Sequence, residues 1–502
     1  MSLANIFTCT LTGITTHTVT VEVHLANGLP SLSIVGLPEA AVRESKDRVR
    51  AAIINSNFEF PQRRITINLA PADLPKDGGR FDLPIALGIL AASSQIPTDK
   101  LDQYEFHGEL ALSGELRPIK GTLPAALHTK QSQRSLIIPQ QNLNEALLAE
   151  GVTVLAADNL LEVCQFLKHQ VTLSDQSTVS TERKTLYEAS LCMSDIKGQQ
   201  RAKRALEVAA AGQHNLLMIG PPGTGKTMLA SRITGILPPM TQQQAIETAA
   251  IHSISDQSFE TTQWRNRPFR SPHHTASGVA LVGGGSHPKP GEISLAHHGI
   301  LFLDELTEFD RKVLDVLREP LETGQITISR AARQADFPAK FQLIAAMNPC
   351  PQGYNCDGKD LCQCTPEQQQ KYRSKISAPL LDRIDIHIEV PQVPRQVLLQ
   401  QNHSENSEVI RQRVLNAYQK QMKRHGKINA ELSNKELEQS CHLKSEEQQL
   451  IDKAMEKLKL SARAYHRILK LARTIADLDD KNDINTQHLS EAISYRSLDR
   501  LQ

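Results

Sequence analysis

Leu216-Leu-Met-Ile-Gly220-Pro221-Pro222-Gly223-Thr224-Gly225-Lys226-Thr227-Met228-Leu-Ala-Ser231 is the stretch on which the fold of this chain turns. Four apolar residues read as a buried strand, and the run from Met228 reads as a helix. Between them lies Gly-x4-Gly-Lys-Thr, the P-loop pattern in the strand–loop–helix setting that it requires. Glycines let backbone N–H groups turn inward onto phosphate oxygens, and the helix N-terminus adds a field that favours anions. Lys226 is placed to reach the β- and γ-phosphates, and Thr227 to offer a hydroxyl to Mg²⁺. Residues 220–228 form the expected nucleotide cradle.

Working outward, Gly299-Ile-Leu-Phe-Leu-Asp304-Glu305 lies about 80 residues further on and reads as an apolar strand ending in two carboxylates. That is the Walker B arrangement: Asp304 for the Mg²⁺ shell, Glu305 to orient and activate water. Leu343-Ile-Ala-Ala-Met-Asn348 is another apolar strand, ending in an Asn that can position the attacking water. Leu380-Leu-Asp-Arg383-Ile-Asp385 and Ser461-Ala-Arg463-Ala-Tyr-His-Arg467 carry arginines suited to the charge that develops on a γ-phosphate.

The surrounding chain is of ordinary soluble composition: 502 residues, 40% hydrophobic and 22% charged. Lys+Arg at 56 against Asp+Glu at 55 gives a net charge of +1, so nucleic-acid binding would need a local basic surface. The longest apolar run, Leu83–Ala92, is about half the roughly 18 residues of a membrane span, and the N-terminus has no signal-peptide pattern. A cytoplasmic location with no membrane partner is the expectation. Residues 15–24, 31–35 and 65–69 read as strands, with a helix opening after Gly36-Leu-Pro38. Residues 169–185 are polar and lack aromatics, as a linker would. Strand–loop–helix alternation to about residue 392 implies a parallel sheet covered by helices. From 393 onward the chain reads as helical, with Ser445, Ser461 and Thr486 as expected caps.

Four of eight cysteines, Cys350, Cys356, Cys362 and Cys364, fall within fifteen residues. Clustered thiols in a cytosolic chain favour metal over disulfides, and four thiolates suit structural Zn²⁺. The Cys-x5-Cys-x5-Cys-x-Cys spacing departs from the paired Cys-x2-Cys pattern and leaves free loop thiols open as the alternative.

Taken together, the motifs resemble those of an AAA+ ATPase. Phe269-Arg-Ser-Pro-His273-His274-Thr, Gly283-Gly-Gly, Pro290-Gly-Glu-Ile-Ser-Leu-Ala-His-His-Gly299, Leu317-Arg-Glu-Pro-Leu-Glu322 and Met347-Asn-Pro-Cys350 narrow the likeness to the magnesium-chelatase-like group. With Val35-Gly-Leu-Pro-Glu and Asn68-Leu-Ala-Pro-Ala-Asp-Leu-Pro-Lys-Asp-Gly-Gly-Arg-Phe-Asp-Leu-Pro84, nearly the whole chain resembles the ComM/YifB family.

The resemblance implies an α/β fold: an AAA+ P-loop parallel sheet with a helical lid, preceded by a Lon-protease-like α+β domain. The implied boundaries are 1–168 for the Lon-like domain, 169–185 for the linker, 186–392 for the ATPase core with a Cys-rich insert at 350–364, and 393–502 for the lid. It further implies a homo-hexamer that uses ATP and Mg²⁺ to migrate branched DNA while incoming single-stranded DNA is recombined during natural transformation, with recombination proteins as possible partners. Lys226, Thr227, Asp304, Glu305 and Asn348 would hold and hydrolyse nucleotide, Arg383 would be the arginine finger on a neighbour's nucleotide, and Arg463 sensor 2 with Arg467 in reserve. A chelatase-type remodeller of a protein partner is the rival reading. Peptidase activity is not expected, because Arg80 and Leu123 stand where the Lon-type Ser and Lys would be. For DNA, the candidates are His273, His274, Lys289, Arg330 and Arg333; solvated loop charge is the alternative for each.

Overall fold

The structure, a computed structural model, describes residues 3–173, 191–255, 260–285, 288–330, 333–353, 362–399, 404–458 and 460–496. The chain divides into two compact units: Met1–Lys184 with Ile246–Trp264, and Thr185–Ala245 with Arg265–Gln502. Ile246–Trp264, which falls inside the stretch expected as one ATPase core, thus groups with the first unit. Of the expected linker, only residues 169–173 lie among those described.

The first unit is built on β1 (Leu3–Thr12), β2 (Thr15–Ala26), β3 (Ser31–Val35), β4 (Arg64–Ala70), β5 (Tyr104–Phe106), β6 (Ser135–Pro139) and β7 (Val154–Ala157), in the order β3-β4-β2-β1-β5-β6-β7. β1 and β2 pair antiparallel from Leu3 opposite His24 to Thr12 opposite Thr15. Alternation in β2 turns Val19, Val21, Val23 and Leu25 inward, and all four are buried. The helix expected after Pro38 is two pieces, a single turn Ala40–Arg43 and α1 (Ser45–Asn55). The apolar run Leu83–Ala92 becomes α2 (Asp82–Ala92), buried on every side. A Cβ at Gly88 would lie 2.5 Å from Val23 Cγ2, so glycine is what lets this helix press onto β2. α3 (Thr122–Gln131) follows, and Ser253 docks at its start: Gly121 N–H donates to Ser253 O at 3.0 Å, and the Ser253 hydroxyl donates to Glu145.

The second unit contains α4 (Gln200–Gly212), β8 (Leu216–Ile219), α5 (Lys226–Ser231), the start of α6 (Gln242–Ser253), β9 (Phe269–Arg270) and β10 (Ile300–Leu303). Next come the hairpin β11 (Gln325–Arg330) and β12 (Arg333–Pro338), then β13 (Gln342–Met347) and β14 (Ile386–Glu389). The sheet runs β9-β10-β13-β8-β14 and every neighbour pair is parallel. Buried strand residues such as Leu216, Phe302, Ile344 and Ile386 share a core with α4 and with the helices that follow. Each such side chain contributes about 1.5–3 kcal/mol on burial.

Those helices are α7 (Ser407–His425), α8 (Ser445–Leu458), α9 (Ala462–Leu478) and α10 (Thr486–Ser494), with shorter turns between. Ser461 caps α9, accepting from Ala464 N–H at 3.2 Å. Two other expected caps are displaced by one residue. Asn485, not Thr486, caps α10, and Ser445 is the first residue of α8, whose Gln448 N–H bonds to Lys444 O. No helix among the described residues is long and apolar enough to cross a membrane.

Candidate nucleotide site

A parallel sheet sends all its strand ends to one edge, and the candidate residues gather there. β8 leads into the P-loop, where Gly223 and Gly225 have φ of +76° and +82°, a region open to glycine at little cost. Lys226 opens α5, and its Nζ donates to Gly220 O at 2.7 Å, Pro221 O at 3.0 Å and Asn348 Oδ1 at 3.2 Å. Burial draws this amine below its ordinary pKa, while Asp304 and Glu305 act the other way. Thr224 is buried in the loop and its hydroxyl donates to Pro221 O at 3.0 Å; Met228 is partly exposed on α5.

β10 ends at Leu303, so Asp304 and Glu305 emerge beside the P-loop. The Thr227 hydroxyl donates to Asp304 Oδ2 at 2.5 Å. Two hard oxygens in direct contact fit the donor set that Mg²⁺ takes. Glu305 holds φ at +51°, unusual for a residue with a side chain and a strain of about 1 kcal/mol or more. Its N–H is tied to Asp304 Oδ1 at 2.9 Å, and its carboxylate stands more than half exposed. His274 Nδ1 lies 3.0 Å from Glu305 Oε2. Sequence reasoning placed His274 on DNA and gave no sign of this pairing, because β9 and β10 meet only in the folded sheet.

The remaining candidates are elsewhere. His273 stacks on His274 with ring centroids 4.1 Å apart and reaches Thr275 Oγ1 at 2.9 Å. Lys289 is exposed on the short hairpin that pairs Gly284 with Lys289. Arg330 and Arg333 face one another across the β11–β12 turn, and their side chains lie outside what the structure describes. Arg383 precedes β14, at the opposite edge of the sheet from the P-loop. It is buried, ion-paired to Glu322, and donates to Pro379 O at 2.6 Å. Arg463 is 69% exposed and 3.6 Å from Asp382, whereas Arg467 is held by Asp385 at 3.1 Å. The Glu322 partner of Arg383 and the Asp382 partner of Arg463 were not foreseen.

Cys350, Cys362 and Cys364 bring their sulfurs within 4.8 Å of one another, with Cys350 and Cys362 3.5 Å apart. Three convergent thiols fit the soft donor set of Zn²⁺. Cys356, the fourth candidate, lies outside the described residues. In the first unit, buried Arg80 donates to Lys120 O, and Leu123 is fully buried in α3.

Residues 192–398 match the family model described as magnesium chelatase, subunit ChlI; residues 21–142 match subunit ChlI of Mg-chelatase; and residues 404–496 match the ChlI C-terminal model. The chain is 52% identical over its whole length to 99% of the competence protein ComM of Haemophilus influenzae. It is 50% identical, again over its whole length, to 98% of the uncharacterized protein YifB of Escherichia coli. A more distant likeness, 28% identity over 32% of this chain and 28% of the relative, is to the magnesium-chelatase 67 kDa subunit of Heliobacterium mobile.

Proposed function

The chain belongs to the ComM/YifB family of magnesium-chelatase-like AAA+ ATPases, and on that premise we propose that it is a DNA motor. The reading is a homo-hexamer whose ATP hydrolysis migrates branched DNA, so that incoming single-stranded DNA is recombined during natural transformation. Its full-length likeness to a competence protein supports the DNA and competence part. The single observation that carries the ATPase part is the convergence of Lys226, Thr227, Asp304 and Asn348 within hydrogen-bond reach at one sheet edge.

The residues divide the work by their chemistry. P-loop N–H groups and Lys226 bind the phosphates; in the structure, Lys226 spends its donors on Gly220 O, Pro221 O and Asn348, bonds that phosphate oxygens would replace. Thr227 and Asp304 hold Mg²⁺, which supplies charge neutralisation to phosphoryl transfer. Glu305 takes a proton from the attacking water, and Asn348 orients that water from the adjacent strand end. Arg383 serves the nucleotide of a neighbouring copy, since its own P-loop is at the far edge of the sheet. Arg463 acts as sensor 2. Cys350, Cys362 and Cys364, with Cys356, hold a structural Zn²⁺. His273, Lys289, Arg330 and Arg333 contact DNA phosphates, and recombination proteins act alongside the motor in the cytoplasm.

The test is ATP-dependent movement of a labelled three- or four-strand junction by the full chain, beside Lys226→Ala and Arg383→Ala. Movement by the parent chain, lost in both variants, is the expected result. ATP hydrolysis that DNA does not stimulate, with a static junction, would overturn the DNA reading in favour of a chelatase-type protein remodeller.

A further inference from the structure

The edge of the second unit's sheet opposite the P-loop carries a polar cavity of about 670 Å³. Its floor is made where the strands begin: Asn215 before β8, Gly299 before β10, Gln342 at the start of β13 and Asp385 before β14. Six basic side chains line it, Arg267, Lys340, Arg383, Lys427, Arg467 and Lys470, against three acidic ones. The positive excess is therefore built from several separate segments of the chain.

Not all of this charge is neutralised locally. Glu322 engages Arg383, Asp385 engages Arg467 at 3.1 Å, and Glu436 engages Lys427 at 2.8 Å. Arg383 nevertheless keeps a buried Nε with no hydrogen-bond partner. Lys470 Nζ has only a carbonyl, Ala430 O at 2.8 Å, and burial draws its pKa down. Lys340 is exposed at the rim. A buried guanidinium N–H without an acceptor costs roughly 1–3 kcal/mol, so the arrangement is completed by an incoming anion. The size and the convergence of charge suit a compact polyphosphate better than a strand running past.

We propose that this cavity binds the polyphosphate of a nucleotide, with Lys340 and Lys470 joining Arg383 as phosphate ligands. The inference rests on the ATPase reading above and extends it to residues that no motif marks. β8 separates the cavity from the P-loop by four residues, about 13 Å of strand, so one bound nucleotide does not serve both ends. The polyphosphate comes either from a nucleotide seated in a second copy's P-loop or from a free one. A head-to-tail ring would bring the first source to every cavity.

The experiment uses two full-length variants. Lys226→Ala disables the P-loop and keeps the cavity. Lys340→Ala with Lys470→Met disarms the cavity and keeps the P-loop; Lys340→Arg with Lys470→Arg is the charge-preserving control. Thermal melting and ATPγS binding at the P-loop establish that each variant folds. The disarmed variant is expected to lose about tenfold or more in ATPase rate, as removal of a charged phosphate contact does, and the arginine control to recover much of it. If the source is a second copy, mixing the two variants restores ATPase activity, up to about a quarter of the parent rate for random head-to-tail assembly. If the source is free nucleotide, mixing restores nothing, but Lys226→Ala still binds ATPγS and loses that binding when the cavity substitutions are added. Parent-like hydrolysis by the disarmed variant overturns the proposal. So does a loss with neither recovery on mixing nor a second ATPγS site. Absence of ATPase activity in the parent chain would instead remove the reading on which this one stands.

Discussion

The two edges of the second unit's sheet differ in how their chemistry is assembled. At the carboxyl edge, a contiguous nine-residue cradle meets two strand ends, and every group has a partner of fixed kind: Lys226 with Asn348, Thr227 with Asp304. At the amino edge, charges come singly from many segments and settle into ion pairs such as Arg383–Glu322 and Arg467–Asp385. The first edge is arranged for one reaction on one ligand. The second ties strands and helices together and leaves surplus cations facing a cavity. Chemistry and stability should therefore respond differently to substitution at the two edges.

The sharpest contrast is expected from Glu305→Gln. The carboxylate is more than half exposed, so its loss should leave folding nearly unchanged. Hydrolysis should fall by about 100-fold or more, because general-base help of that order is lost from the step. ATP binding should persist, since Lys226 and Thr227 are untouched. Steady-state ATPase assays paired with ATPγS binding check this. A mutant that hydrolyses at the parent rate would remove Glu305 from the mechanism.

The same contrast explains what could be read before the fold was seen. Gly220–Met228 declares itself because the phosphate-binding groups are neighbours in sequence and their spacing is set by one turn. Asp304 and Asn348 become legible next, as polar residues closing apolar strands. The role of His274 was not legible, because its contact with Glu305 depends on β9 lying beside β10, and β9 is only two residues long. The partner of Arg383 was hidden for a like reason: Glu322 is 61 residues away in sequence. In the first unit, alternation marked β2 and apolar length marked α2. Nothing in composition revealed that Ile246–Trp264 would group with that unit.

At the amino edge, Asp385→Asn should break structure more than chemistry. Asp385 accepts from Asn215 N–H at 3.0 Å and is 3.1 Å from Arg467 and 3.6 Å from His214. Burial alone would raise its carboxyl pKa, but Arg467, His214 and the Asn215 N–H outweigh it and hold the group well below the usual range. Replacing it leaves Arg467 without its partner, at a cost of about 3 kcal/mol. A folded pKa below the unfolded one gives stabilisation that is complete above the unfolded value and lost as pH falls through the folded one. The gap between parent and variant in urea midpoint should thus be full near neutrality and close in strong acid. A gap that stays constant down to acid pH would show that the charge is not its source.

The smallest effect tests the one contact that joins a DNA candidate to the catalytic carboxylate. His274 Nδ1 occupies one oxygen of Glu305 at 3.0 Å, an oxygen that water activation also needs. A hydrogen bond to a charged group at a part-exposed site is worth about 1 kcal/mol net, or roughly fivefold in rate. If His274 withholds the carboxylate, His274→Ala should raise the rate without DNA by about that factor, leave KM for ATP unchanged, and shrink the further stimulation by DNA. If instead His274 holds Glu305 in its strained φ of +51° for catalysis, the same substitution should lower kcat with and without DNA alike. The first outcome is expected, because the pairing forms here with no nucleotide to organise it. A rise in rate would tie the histidine pair to regulation of the carboxyl edge, whereas a uniform fall would make it part of that edge's fixed scaffold.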